Sequence, residues 1–191
     1  METENKTLTR EESVKVMHSM IIAAQGSVRA SSFYFLFWGW IVLAASLGHF
    51  LLDQLTEIEG YWVWLITIPG WIISFIYGYK ESKTPRPKTY IEDIVMWTWI
   101  GFGLSVLIII LCGAYINYEI TAMIMLFAGF STFITGITIR FKPLIFGGSS
   151  FWIFAPITLY LPMKYATLLM ALAILVGYLI PGYVLKRQNT K

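Results

Sequence analysis

Six stretches of about 20 residues each, at 33–52, 61–79, 94–115, 120–139, 143–161 and 166–185, contain no Asp, Glu, Lys or Arg. Runs of that length and character have few physical destinations. Wound as α-helices at about 1.5 Å per residue, they match a hydrocarbon layer about 30 Å thick. The helix is also the open-ended form that satisfies its own backbone groups where no water is present. Composition points the same way. The 191 residues are 57% hydrophobic and 13% charged, where a soluble domain carries about a quarter charged residues. A globule of this size has too little interior to bury that excess. The expected fold is all-α, a polytopic transmembrane bundle of six spans preceded by a cytoplasmic amphipathic helix.

The basic residues give that bundle a direction. Lys6, Arg10, Lys15 and Arg29 precede the first stretch, and Lys80, Lys83, Arg86 and Lys88 lie between the second and third. Arg140 and Lys142 separate the fourth and fifth, and Lys186, Arg187 and Lys191 follow the last. Only Lys164 of the fourteen falls on the opposite side. The positive-inside rule then puts both termini in the cytoplasm of a multi-pass membrane protein. The organisation reads as a cytoplasmic segment at 1–31, a six-span bundle at 32–185 and a tail at 186–191. The first apolar run begins only at Phe33, behind a charged polar segment, so it reads as a retained span and not as a cleavable signal. The joins around Asn117-Tyr118-Glu119 and Arg140-Phe141-Lys142-Pro143 are tight. They leave open whether the third and fourth, or fourth and fifth, stretches are full spans or re-entrant hairpins.

Ahead of the bundle, Thr9 and Glu12 have capping-box spacing. Val14, Met17, Ile21, Ala24 and Val28 follow at intervals of three and four, which puts them on one helix face. Glu11, Lys15, His18, Gln25 and Arg29 take the other side. The pattern predicts an amphipathic helix over 10–25 with Gly26 as its stop. Its charges are of mixed sign. A helix made to lie on anionic lipid would be more uniformly basic, and an apolar stripe flanked by mixed charge suits a protein contact.

The first span opens Phe33-Tyr34-Phe35-Leu36-Phe37-Trp38-Gly39-Trp40. This stretch resembles the opening of a family of small bacterial multi-span membrane proteins with no established activity, with the likeness concentrated over 10–55. The resemblance implies a bacterial cytoplasmic (inner) membrane. It carries no catalytic or binding residues over to this chain.

Within the spans, the residues that could carry chemistry are few. His49 and Asp53 are four apart, on one helix face near the outer boundary. The pair reads either as a proton-linked or metal-linked site in which Asp53 orients the imidazole, or as an interfacial His bonded to a neighbour. Cys112 and His18 are the remaining Cys and His, too few for a closed zinc site, so no metal and no cofactor is expected. Pro69 and Gly70, and Gly147, Gly148 and Pro156, are candidate helix breaks in the middle spans of two three-span halves, an arrangement some transporters use. Ala128, Thr132 and Gly136 recur every fourth residue, as in a close helix contact, either within the bundle or between two copies. Tyr61, Trp62 and Trp64, and Trp38 and Trp40, read as interfacial anchors.

Phosphate-binding loops, paired-His motifs and nucleophile elbows are missing from the sequence. The net charge of +3 comes from basic residues clustered near the membrane, so nucleic acid is not an expected partner. These features predict a non-enzymatic membrane protein that associates with a protein partner through residues 10–28, or with a second copy of itself. The alternative is a small-molecule transporter or channel component with a polar cavity lined by Thr67, Ser74, Thr98, Ser105 and Thr135.

Overall fold

The structure, a computed structural model, describes residues 10–83, 90–116 and 119–188, with side chains throughout these except at 10–31, 163 and 188. Among the described residues every regular element is helical. Helix α1 (Arg10–Leu55) is followed by a 3-10 stretch (Gly60–Ile66) that feeds directly into α2 (Thr67–Ser82). Then come α3 (Tyr90–Leu111), a short 3-10 turn (Gly113–Ile116), α4 (Ile120–Thr138) and α5 (Lys142–Thr158). The chain ends in one helical run, in which α6 (Met163–Ile174) passes through a π segment (Leu175–Leu179) into α7 (Ile180–Gln188). Five helical stretches are long and apolar enough to cross a membrane: Ser32–Leu55, Gly60–Ser82, Tyr90–Leu111, Ile120–Thr138 and Lys164–Arg187.

The core is an antiparallel α4–α5 hairpin packed against the α6–π–α7 run, with α1 lying along the other side of that run. Small residues set the spacing. A Cβ on Gly148 would stand 2.5 Å from the backbone nitrogen of Phe133, and one on Gly147 would stand 2.7 Å from the carbonyl of Gly177. At both places only a glycine lets the two backbones come this close. Ala128, Ser131, Thr132, Thr135 and Gly136 are all buried, so the small-residue stripe of α4 is used inside the chain. A seam between two copies cannot use that face as well. Phe35, Phe151 and Tyr178 fill the space beside the hairpin, with Tyr178 edge-on to both other rings. Outside this core, α3 lies along α4, and α2 lies along α1. Their outer faces expose Phe75, Trp97, Ile108 and Leu111.

Several boundaries differ from the sequence reading, each for a local reason. Gly26 does not stop the first helix, which continues as α-helix to Leu55. A terminating glycine adopts the left-handed conformation, and no described glycine does so. The capping residue Thr9 lies outside the described residues. Helix α3 begins at Tyr90, four residues before the hydropathy boundary, because Glu92 and Asp93 in its first turn suit the positive end of the helix dipole. It ends at Leu111, with the 3-10 turn from Gly113 taking over.

The candidate helix breaks do not break helices. Helix α5 runs unbroken through Gly147, Gly148 and Pro156. The two glycines serve close packing, and Pro156 sits one turn from the helix end. Pro69 and Gly70 lie in the first turn of α2, where a missing N–H costs little. The irregularities fall nearby instead, in the 3-10 entry to α2 and the π segment at Leu175–Leu179.

The α4–α5 join is closed by a helix-ending motif. The Phe141 N–H donates to the Gly136 carbonyl at 2.8 Å, and the Arg140 N–H donates to the Ile137 carbonyl at 3.0 Å. That 6→1 and 5→2 pairing requires a left-handed residue at Arg140, whose φ is 55°. Arginine takes that conformation at a cost of about 1 kcal/mol.

The packing and the turn at Arg140 make three predictions. Gly148→Ala should destabilise the detergent-solubilised protein by about 1–3 kcal/mol in denaturant unfolding. Gly101→Ala, where a Cβ meets open space, should stay within about 0.5 kcal/mol of the parent. In the same assay Arg140→Gly should stabilise by about 1 kcal/mol.

Candidate functional site

The polar pair anticipated on the first span is brought together, with two further members. His49 is 6% exposed on the face of α1 that meets the 3-10 stretch. One turn on, Asp53 Oδ2 lies 3.2 Å from His49 Nε2, and the carboxylate is partly open to solvent, with its side chain 27% exposed. The second carboxylate oxygen, Oδ1, accepts the Gly60 N–H at 2.8 Å. On the other side of the ring, the Trp64 indole N–H donates to His49 Nδ1 at 2.9 Å.

The donors assign the tautomer. An indole N–H can only donate, so Nδ1 must be the unprotonated acceptor. The ring proton then belongs on Nε2, facing the Asp53 carboxylate. Both ring nitrogens are thereby occupied. No lone pair remains for a metal ion or for taking a proton from a substrate unless the Trp64 bond is broken. Among the described residues no group of three or more His, Cys, Asp or Glu could hold a metal ion.

The local chain explains why the clamp closes. Helix α1 ends at Leu55, where the Thr56 hydroxyl donates to the Leu52 carbonyl at 2.9 Å and accepts the Ile58 N–H at 3.2 Å. The chain then turns back against its own last turns. Gly60 is buried there, and a Cβ on it would collide with the His49 ring and stand 2.5 Å from Asp53 Oδ1. Glycine is thus needed for a close approach. Sequence reasoning found His49 and Asp53 because their spacing is local. It missed Gly60 and Trp64, which are 11 and 15 residues from His49. The one signal available was a glycine placed directly before a Tyr-Trp-Val-Trp run.

The hydroxyls proposed as cavity lining do not converge. The Thr67 hydroxyl donates to the Trp64 carbonyl at 2.7 Å, that of Thr98 to Ile94 at 2.8 Å and that of Ser105 to Gly101 at 2.9 Å. Each of these is a bond to the residue's own helix or the turn leading into it. Ser74 accepts the Trp38 indole N–H at 3.0 Å. Thr135 donates to the Ser131 carbonyl at 2.7 Å and accepts the Trp99 indole N–H at 3.2 Å. Ser46 is fully buried with no hydrogen-bond partner, and the buried Thr132 hydroxyl faces that of Tyr178.

Tryptophan is the recurrent cross-linker. Trp38 reaches α2, Trp64 reaches α1, Trp99 reaches α4, and Trp152 donates to the Leu126 carbonyl at 3.3 Å. Trp40 donates to the Tyr183 hydroxyl at 3.2 Å. Of these, Trp38, Trp40 and Trp64 were expected to be anchors at the span ends. Five of the eight tie one helix to another, because an indole N–H in an apolar surround costs free energy until it finds an acceptor.

Comparison of the chain with protein-family models, with curated proteins and with solved structures returns no match in any of the three.

The clamp makes a thermodynamic prediction. Trp64→Phe leaves His49 Nδ1 buried without a donor and should cost about 1–3 kcal/mol of unfolding stability in detergent. Adding His49→Leu to that variant should cost less than the sum of the two single changes, since the orphaned acceptor is gone. Strict additivity would contradict the clamp.

Proposed function

We propose that this chain is a six-span protein of a bacterial cytoplasmic membrane, with both termini in the cytoplasm. It acts without chemistry of its own, by holding a protein partner through its N-terminal helix. The sixth span in this reading is α5. Its 17 residues are at the short end of what a bilayer requires, and it lies antiparallel to α4 along the hairpin. Counting it puts the basic residues of the 82–90, 138–142 and C-terminal segments on the same side as the N-terminus, which is what the positive-inside rule favours.

The observation that carries the proposal is the continuity of α1 across Gly26. The amphipathic segment continues the first span without a break, and in this reading it leaves the bilayer along the same axis. At about 1.5 Å per residue, the 22 residues ahead of Ser32 extend about 33 Å. A helix held in that direction cannot lie in the lipid interface, and an apolar stripe on it calls for a protein surface.

What argues against a transport role is the fate of the hydroxyls. They serve their own helices or accept indole N–H groups, and they are spread over α2, α3 and α4. What argues against enzymatic chemistry is the occupied imidazole of His49.

Co-purification from native membranes in mild detergent tests the proposal. The intact chain should retain a stoichiometric protein partner, and a chain lacking residues 1–28 should lose it while still running as a folded particle. Retention of the partner by the truncated chain would refute the reading. Orientation has its own test in a Cys112→Ala background. An impermeant thiol reagent outside intact cells should label Glu57→Cys and spare Lys83→Cys. The reverse pattern would invert the topology.

A further inference from the structure

The two partners of the His49 ring respond differently to a proton. Trp64 presents an indole N–H, which donates and cannot accept. Asp53 presents carboxylate oxygens, which accept when ionised. In the closed clamp Nδ1 takes the indole N–H at 2.9 Å and Nε2 faces Asp53 Oδ2 at 3.2 Å. This arrangement admits one ring proton. A second would set two N–H groups head to head at Nδ1, and the indole would have to leave. Nε2 would keep its carboxylate, now in a charge-assisted bond, and Asp53 Oδ1 would keep the Gly60 N–H.

From this asymmetry we infer that the clamp is an acid-released latch: a proton taken up by His49 at Nδ1 frees Trp64, and with it the segment 61–69, while Gly60 stays tied to α1. The closed form excludes a proton that the open form accepts, so acidification moves the population toward the open form. Water reaches the site at Asp53, whose side chain is 27% exposed. The latch is independent of what residues 10–28 hold. Only its assignment to the outer face rests on the proposed orientation, which the thiol labelling decides separately.

Local structure sets what is released. Gly60–Ile66 is seven residues of 3-10 helix, a form with poorer hydrogen bonds that seldom runs past three or four. Its ties to α1 therefore matter, and few are present. Besides the bonds at Gly60 and Trp64, Val63 packs on Gly48. Further on, α2 returns to α1 at Gly70, beside Ile41. It does so again at Ser74, whose hydroxyl accepts the Trp38 indole N–H and whose carbonyl accepts the Tyr34 hydroxyl at 3.3 Å. Those later ties contain no imidazole and no carboxylate, so they persist in acid and bound the freed segment.

The titratable surroundings single out the imidazole. At this end of α1 the charged groups are Asp53, Glu57 and Glu59, with Tyr61 following on the 3-10 stretch. Helix α6 brings Lys164 and Tyr165, which approach α1 at the Phe50 ring. The other elements packed on α1 carry theirs farther off. Tyr178 of the π segment lies against Gly39, about 15 Å along α1 from His49. On α7, Tyr183, Lys186 and Arg187 lie beyond Gly182, which sits against Leu36, about 20 Å away. On α2, Tyr77 stacks on Phe33, about 24 Å away, and Tyr79, Lys80 and Glu81 follow it. Among these side-chain types, imidazole is the one that ordinarily changes charge between about pH 5 and pH 8.

The test uses the full-length chain in bilayer nanodiscs, with isotope-labelled indoles read by NMR at about pH 8 and about pH 5. Spin labels at Leu51→Cys and Leu65→Cys in a Cys112→Ala background report the segment. The Trp64 resonance, identified by its absence in Trp64→Phe, should lose its hydrogen-bonded position reversibly in acid. The Trp38 resonance should stay, and the label distance should change from one narrow distribution to a broad one. His49→Gln should abolish both responses, with its Trp38 resonance showing that it is folded. Trp64→Phe, which removes the donor and keeps the imidazole, should give the broad distribution at both pH values. A Trp64 resonance that remains bonded at pH 5 would overturn the latch, as would a response that survives in His49→Gln. Movement of Trp38 together with Trp64 would mean general unfolding and would also overturn it. An unchanged label distance after Trp64 has lost its bond would show that nothing is released.

Discussion

The packing of α4 against α5 is the contact on which the other helices depend. Gly148 admits the backbone of Phe133, and Gly147 admits that of Gly177, so three helical segments meet with almost no side chain between them. Apolar surface alone gives little association between helices in an apolar solvent. Close dispersion contact over small residues does, and it also fixes the register. Once α4, α5 and the π segment are set, Phe151 and Tyr178 have a single cavity to fill, and Phe35 closes it from α1. The outer helices α2 and α3 are added by indole hydrogen bonds and ring contacts, with Trp38, Trp71 and Trp99 as the main links.

The His49 clamp obeys the same economy of polar groups. A carboxylate, an imidazole, an indole and one backbone N–H satisfy each other in series. Their combined effect is to hold the start of the second long helical stretch against the end of the first. A group of this composition is often read as reactive. Here both ring nitrogens are engaged, and the group holds the turn at Gly60 against the end of α1.

Legibility in the sequence followed the range of the interaction. Helix existence was legible from runs of uncharged residues, since a span needs nothing but length and apolarity. The His49–Asp53 pair was legible because four residues make one helical turn. The buried stripe of α4 was legible as a small-residue pattern, and only its partner was open. Gly26 was misread because a mid-helix glycine costs about 1 kcal/mol, too little to end a helix that a long apolar span continues. Gly147, Gly148 and Pro156 were misread as breaks because a glycine that admits a neighbouring backbone looks, in one dimension, like a glycine that ends a helix. Gly60, Trp64 and the π segment at Leu175–Leu179 left almost no local trace, since each is defined by what it meets across the fold.

The proposal that residues 10–28 hold a protein partner rests on one observation, that α1 is helical without interruption from Arg10 to Leu55. Paired spin labels at Ser19→Cys and Leu47→Cys in a Cys112→Ala background test it most directly. Twenty-eight residues of uninterrupted α-helix separate the two backbones by about 42 Å. The account predicts one narrow distance distribution near that value, in detergent and in bilayers alike. A broad distribution centred well below it would mean that the helix turns at Gly26. The segment would then be free to lie against lipid or the bundle, and the reason to expect a protein partner would be gone.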